Sequence, residues 1–321
     1  MNSKPILIVA GEPNSIFLEI FFKALKQKKF QSPIIIIVSQ KLLIKQMQKL
    51  SFNFKINSVN QKYKDFKDLN NNKINIINVN YDFKRPFEKI SKKSNHYIEK
   101  CFETALEFLK KNKLSKFING PISKKYFLHG KLPGITEYLA KKDNKENKVA
   151  MLIYNQKLSV SPLTTHLPLK EVHKNISKQK IHNHVKLISE FYKKKLKKKP
   201  KIAITGLNPH CESNFKNSEE NKYIKPAIKS LIKKNYEVKG PFAADTIFMK
   251  EQSKNYDVII GMYHDQVLTP LKSLHGFDAI NITLGLSFTR VSPDHGPNYS
   301  MLGKNLSDSS SLIKALKFLD K

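Results

Sequence analysis

An alternation limits what this chain can fold into more than any other feature. Short apolar runs rich in β-branched residues recur along it, with amphipathic stretches of helical period between many of them. Residues 5–10, 33–38, 73–79, 116–119, 150–154, 158–163, 201–205, 256–260 and 279–283 read as strands. Helical periodicity predicts helices over 15–27, 94–112, 169–197, 218–234 and 309–320. The last of these opens on Asp308 and three serines, good capping chemistry. Such alternation predicts an α/β fold, with many parallel strands in the sheet and helices on its faces.

Length and composition narrow this further. With 321 residues, 40% of them hydrophobic, the chain can bury a sizeable core in one large or two ordinary domains. Two cysteines, Cys101 and Cys211, make no disulfide framework and fit a reducing compartment. The apolar stretch near the N-terminus is too short for a signal peptide and reads as a first strand. No apolar run approaches the ~20 residues of a membrane helix, so a cytoplasmic protein without a membrane partner is expected. The net charge of +32 raises a nucleic-acid or polyanion binder as one reading. Against it, the only arginines are Arg85 and Arg290, and arginine is the side chain that grips phosphate bidentately. The lysines are scattered along the chain, and those in 141–148 and 194–201 read as exposed connections or helix ends. Solvated surface is the better reading, and no nucleic-acid partner is expected.

Ligands of open α/β sheets bind beyond the carboxyl ends of strands. Three such ends run into histidine: LSVSPLTTH into His166, KIAITGLNPH into His210 and YDVIIGMYH into His264. Imidazole is the commonest side-chain metal ligand, and three of them would leave a coordination position open for chemistry. Zinc suits such a set, and the ligand type also admits Mn²⁺, Co²⁺ or Mg²⁺. By spacing alone, three hydrogen-bonded loop histidines explain the pattern equally well. Asp245 and Asp265 are candidates to support a ligand or relay a proton, and as loop aspartates they would look the same.

The segments TTHLPL, GLNPH, GPFAADTIF, MYHDQ, NITLGLSFTR and SPDHG occur in this order, together with NGPISK and PGITEYLA. Together they resemble the 4-hydroxythreonine-4-phosphate dehydrogenase family of the vitamin B6 pathway, from about residue 119 to the C-terminus, with a weaker match at GEP near the N-terminus. The resemblance implies two α/β/α domains with a cleft between them, like isocitrate and isopropylmalate dehydrogenases. By that analogy, 1–118 with 285–321 form an outer domain, and 119–284 an inner one with the metal histidines and dimer contacts. The implied reaction is oxidation and decarboxylation of 4-phosphooxy-L-threonine to 3-amino-2-oxopropyl phosphate, a step of pyridoxal phosphate biosynthesis. NAD, or NADP, would accept the hydride, and a divalent ion (Zn, Mg, Mn or Co) would act as Lewis acid. The family acts as a homodimer with the active site at the subunit interface. Carried over by motif, His166, His210 and His264 hold the metal, while Thr136, Lys272, Asn281 and Arg290 contact substrate.

The chain carries no GxGxxG after a strand, so a Rossmann dinucleotide site is not expected. The loop SPDHGPN, with Asp294, His295 and Gly296, is the candidate cofactor contact, and it also reads as a simple polar turn. Two segments depart from the family pattern. Ile135 stands where the family has a substrate-touching histidine, and GEPNSIFLE replaces a loop richer in glycine and proline. Substrate is the open point: a related dehydrogenase of another β-hydroxy acid or of a dihydrodiol is the alternative.

Overall fold

The structure is a computed structural model that describes residues 4–62, 65–128, 132, 134–211, 216–276, 278–293 and 295–320. In chain order its strands are β1 Ile6–Val9, β2 Ile34–Val38, β3 Ile56–Ser58, β4 Ile74–Asn78, β5 Lys116–Asn119 and β6 Ala150–Tyr154. Then follow β7 Ser159–Pro162, β8 Ile202–Thr205, β9 Val238–Phe242, β10 Val258–Gly261, β11 Ile280–Leu284 and β12 Thr289–Ser292. Two compact units emerge: Met1–Ile135 with Ser287–Lys321, and Thr136–Leu286. The sequence suggested limits near 118 and 284.

The first unit is a parallel sheet in the order β3-β4-β2-β1-β5-β12. Its central strands β1 and β2 are apolar throughout and fully buried, as a parallel strand covered on both faces requires. The helix Phe17–Gln27 buries every residue of its first turn and a half, Phe17 to Phe22, and Ala24, so its N-terminal part is enclosed on all sides. Ser39 starts the helix Gln40–Lys49 by accepting a hydrogen bond from Leu42 N.

The second unit is mixed, in the order β11-β6-β7-β10-β8-β9. β7, β10, β8 and β9 run parallel, while β6 is antiparallel to both of its neighbours, a departure from an all-parallel sheet. Met151, Val160, Ala203, Ile259, Val267 and Leu271 belong to its core. The helix expected over 169–197 is broken. Ser177 adopts extended backbone, and its side chain accepts from Lys180 N at 3.2 Å, so a new helix starts at Lys178 and runs to Phe191. The segment after β10 is a helix, His264–His275, which contains Pro270. Among the described residues no helix is long and apolar enough to cross a membrane.

Candidate active site

The exits of β7 and β10 travel together. Their backbone register ends with Pro162 opposite Gly261. Beyond it, Leu163 N donates to Gly261 O at 2.7 Å, and Thr164 donates to Met262 O through N (3.2 Å) and Oγ1 (2.7 Å). Two chains held so closely deliver His166 and His264 side by side, ring centroids 5.8 Å apart and tilted by 37°. The Nδ1 of His264 is hydrogen-bonded to Asp265 Oδ1 at 2.6 Å. With Nδ1–H donated to that carboxylate, Nε2 is left with the lone pair, the arrangement that orients a ligating imidazole.

A second set of polar groups connects to this pair through Thr165, the neighbour of His166. Thr165 Oγ1 donates to Glu137 Oε1 at 3.1 Å, which ties the strand exit to the helix Ile135–Lys142. The same helix carries buried Thr136, whose Oγ1 lies 3.5 Å from Thr283 Oγ1 on β11. β11 also carries Asn281, and its Oδ1 is buried with no hydrogen-bond partner among the described residues. Leaving a buried acceptor unmet costs about 1–3 kcal/mol, so an incoming donor there would be bound with that advantage.

His210 follows β8 in a turn built by a buried carboxylate. Glu220 Oε1 accepts from Leu207 N (2.7 Å) and Asn208 N (2.9 Å), and its Oε2 from Asn208 Nδ2 (2.9 Å). Burial pushes the Glu220 carboxyl up, but the hydrogen bonds from Asn208 and Leu207 outweigh it, and its pKa lies below the ordinary value. Gly206 opens this turn where space is tight, since a Cβ there would lie 2.7 Å from Cys211 Sγ and 3.0 Å from Glu220 Oε1. His210 itself is exposed, in left-handed backbone at φ +58°. Among the described residues no three of His, Cys, Asp and Glu are close enough to hold one ion. One chain therefore brings His166 and His264 together and leaves His210 apart. Asp245 is exposed, as is Lys272 near the end of the helix His264–His275.

In the first unit Arg290, on β12, is only 1% exposed. Its Nε donates to Asn119 Oδ1 at 2.7 Å, and Asn119 Nδ2 donates to Gly120 O at 2.9 Å. The candidate cofactor loop packs on the start of the first helix: Ile16 N donates to Pro297 O at 3.2 Å, and the His295 ring lies 6.2 Å from Phe17. Gly296 is exposed, and an added Cβ would meet nothing within 4 Å. Asp294 lies outside the described residues. The remodelled N-terminal loop keeps its glycine for a reason: Gly11 has φ +80°, and a Cβ there would sit 2.4 Å from Pro121 O.

The family model for the pyridoxal phosphate biosynthetic protein PdxA matches residues 29–319. The chain belongs to the PdxA family. A 4-hydroxythreonine-4-phosphate dehydrogenase of Sulfurihydrogenibium sp. is 37% identical, over 97% of this chain and 96% of its own length. A protein of Oceanobacillus iheyensis, provisionally named a D-threonate 4-phosphate dehydrogenase, is 32% identical over 98% of this chain and 97% of its own. The crystal structure of the Klebsiella pneumoniae 4-hydroxythreonine-4-phosphate dehydrogenase superimposes with TM-score 0.84 at 26% identity, covering 99% of this chain and 97% of that one. An isocitrate dehydrogenase of Methylococcus capsulatus, at TM-score 0.50 and 10% identity, covers 97% of this chain and 83% of its own and shares the fold alone.

Within this PdxA-family chain the two adjacent imidazoles, one braced by a carboxylate, fit two ligands of a divalent ion. Glu220, Glu137 and Asn119 escaped sequence reasoning. Each works through hydrogen bonds to residues far away or to backbone; Asn119 and Glu137 lie within NGPISK and PGITEYLA, but those segments do not single them out.

Proposed function

We propose that the chain is an NAD-dependent dehydrogenase that oxidises 4-hydroxythreonine 4-phosphate at C3 and releases its carboxylate as CO₂. The observation that carries this reading is the His166–His264 pair, braced by Asp265, at the exits of neighbouring parallel strands in a PdxA-family chain. NADP is kept as an alternative hydride acceptor, and the bound ion as Zn, Mg, Mn or Co. When bound, a divalent ion supplies Lewis-acid charge to the substrate's C3 oxygen, both as hydride leaves and as CO₂ departs. The loop of Asp294, His295 and Gly296 would hold a nicotinamide cofactor, which would supply the hydride acceptor.

The chain's own side chains do the rest. Asp265 holds the His264 ring with Nε2 turned outward as a ligand. Asn281 Oδ1, a buried acceptor with unused capacity, receives a substrate hydrogen bond, and Thr136 lines the same wall. Lys272 and Arg290 supply positive charge to phosphate and carboxylate, Arg290 as a planar fork whose Nε is already fixed by Asn119. Asp245 is kept as a weaker candidate for support or proton relay.

His210 would reach the ion from a second copy of the chain, so the active protein is a cytoplasmic homodimer with two shared sites. Two observations support this: His210 is exposed and apart from its own pair, and Leu167 and Leu169, next to His166, are 38% and 68% exposed.

A second substrate is D-threonate 4-phosphate, which carries a hydroxyl on C2 in place of the ammonium: a relative 32% identical over 98% of this chain is provisionally named for it, and Ile135 stands where the family resemblance implies a substrate-touching histidine. Purified protein should form NADH from 4-hydroxythreonine 4-phosphate, lose the activity to a strong chelator and regain it with a divalent ion. Stoichiometric metal with no NADH from it, but turnover of D-threonate 4-phosphate, would move the reading to the second substrate.

A further inference from the structure

The two neighbours of β10 are joined to it differently beyond the sheet. On the β7 side the backbone continues the ladder, through Leu163 N to Gly261 O and Thr164 N to Met262 O. On the β8 side the backbone ladder ends at Ile204 opposite Ile260, and a side chain takes over. Gln266 Oε1 accepts from Met262 N at 2.6 Å and from Thr205 Oγ1 at 3.0 Å, while its Nε2 donates to Gly206 O at 2.8 Å. The primary amide thus behaves as an extra peptide group laid between two strand exits. Gly261 makes room for it, since a Cβ there would lie 3.0 Å from Gln266 Oε1 and 2.4 Å from Val267 Cγ1.

We infer that Gln266 is a positioning residue for the metal centre, fixing the His210 turn against the exit that carries His264. The inference rests on the proposed function, in which both histidines are ligands. Gly206, where Nε2 docks, opens the turn that Glu220 clamps and His210 ends. Met262, where Oε1 docks, stands two residues before His264. In a dimer with shared sites, each chain gives its His166–His264 pair to one ion and its His210 to the other. Both ions can then be satisfied only if that spacing within the chain is held, and the Gln266 amide spans it.

A plainer role competes. Gln266 is the third residue of the helix His264–His275, and a Gln or Glu there commonly reaches back to a backbone N–H as a cap. The two roles use different atoms. A cap needs only an acceptor for Met262 N, which a carboxylate supplies, whereas the bridge to β8 needs the Nε2–H donor for Gly206 O.

Gln266→Glu separates them. Metal-free full-length protein would be titrated with Zn²⁺ against a chromogenic chelator, with its metal-free thermal midpoint measured alongside. A positioning role predicts that Gln266→Glu and Gln266→Ala both weaken Zn²⁺ binding by about 10–100-fold, the usual loss for groups that orient ligands, with the metal-free midpoint of Gln266→Glu near wild type. Thr205→Val approaches the bridge from the other strand, keeps the Gln266 side chain, and should weaken binding in the same direction by less. It carries the test if the Gln266 variants do not fold. Wild-type affinity in Gln266→Glu beside a loss in Gln266→Ala would reduce the residue to a helix cap and overturn the inference. So would a loss of affinity matched by a collapse of the metal-free midpoint in every variant. Wild-type protein that takes up neither Zn²⁺ nor Co²⁺ would instead sink the metal reading itself, an outcome visible before any variant is made.

Discussion

Both units place polar residues where strands end, yet they use them in opposite ways. In the first unit these groups are buried and spent on one another. Glu12 accepts from Asn14 N at 3.2 Å and from Ser94 Oγ at 3.0 Å, and Asn14 Oδ1 accepts from Glu88 N at 2.8 Å. Burial raises the Glu12 carboxyl above its ordinary value. In the second unit the corresponding groups face outward or keep capacity in reserve. His210 is exposed, the Asp265 side chain is 79% exposed, and Asn281 Oδ1 has no partner among the described residues. A strand end of polar residues is therefore not a site by itself. What separates scaffold from chemistry is whether the hydrogen-bonding capacity is consumed inside the chain.

The widest gap should come from paired substitutions. His264→Ala, in the second unit, should lower NADH formation by at least ~10³-fold, several kcal/mol of lost Lewis-acid stabilisation, with metal-free stability moved by no more than ~0.5 kcal/mol. A variant that keeps a tenth of the activity would erase the distinction between the units. His184 sharpens the contrast within the second unit, because it is a histidine of the opposite kind. It is 5% exposed, lies 2.9 Å from Ser161 Oγ through Nε2, and burial pushes its pKa down to about 4. A depressed folded-state value means the unfolded chain binds the proton first as pH falls. Stability is then whole above pH ~6.5 and drains by up to ~3 kcal/mol as pH falls to about 4. Denaturant unfolding should show this slope in the wild type and a shallower one in His184→Gln.

Ser94→Ala tests the first unit. It removes a donor from buried Glu12 and should cost about 1–3 kcal/mol of stability with turnover at saturating substrate unchanged. Loss of kcat without loss of stability would move that cluster into the chemistry. The smallest effect is expected from Ile135→His, which returns one polar contact. It should raise kcat/KM for 4-hydroxythreonine 4-phosphate by about fivefold, on the order of 1 kcal/mol. No gain there, with a loss on D-threonate 4-phosphate, would favour the second substrate.

Much of the fold was legible wherever a local pattern decides the structure. The uninterrupted apolar run of β2 allows only a buried strand, and the three strand-to-histidine segments stood out because a core strand rarely ends so polar. Legibility failed where distant contacts decide. β9 contains Gly240 and Pro241, which a reading by propensity rejects, and it survives at the sheet edge where the missing N–H is tolerated. β12 carries Thr, Arg and Ser in four residues, and its buried arginine donates to Asn119, 171 residues away. The helix after β10 was hidden by Pro270. Among site residues, histidines announce themselves by type, but Gln266 and Glu220 act on backbone groups that no spacing rule connects to them.

Mixing two inactive variants tests the central claim most directly. His210→Ala and His264→Ala chains would be unfolded together, refolded and assayed for NADH formation. If each ion is held by the His166–His264 pair of one chain and His210 of another, random pairing makes half the dimers mixed, each with one intact site. About a quarter of wild-type activity should return. If no activity returns beyond that of the separate variants, although mixed dimers form, the site is not shared between chains and the account fails.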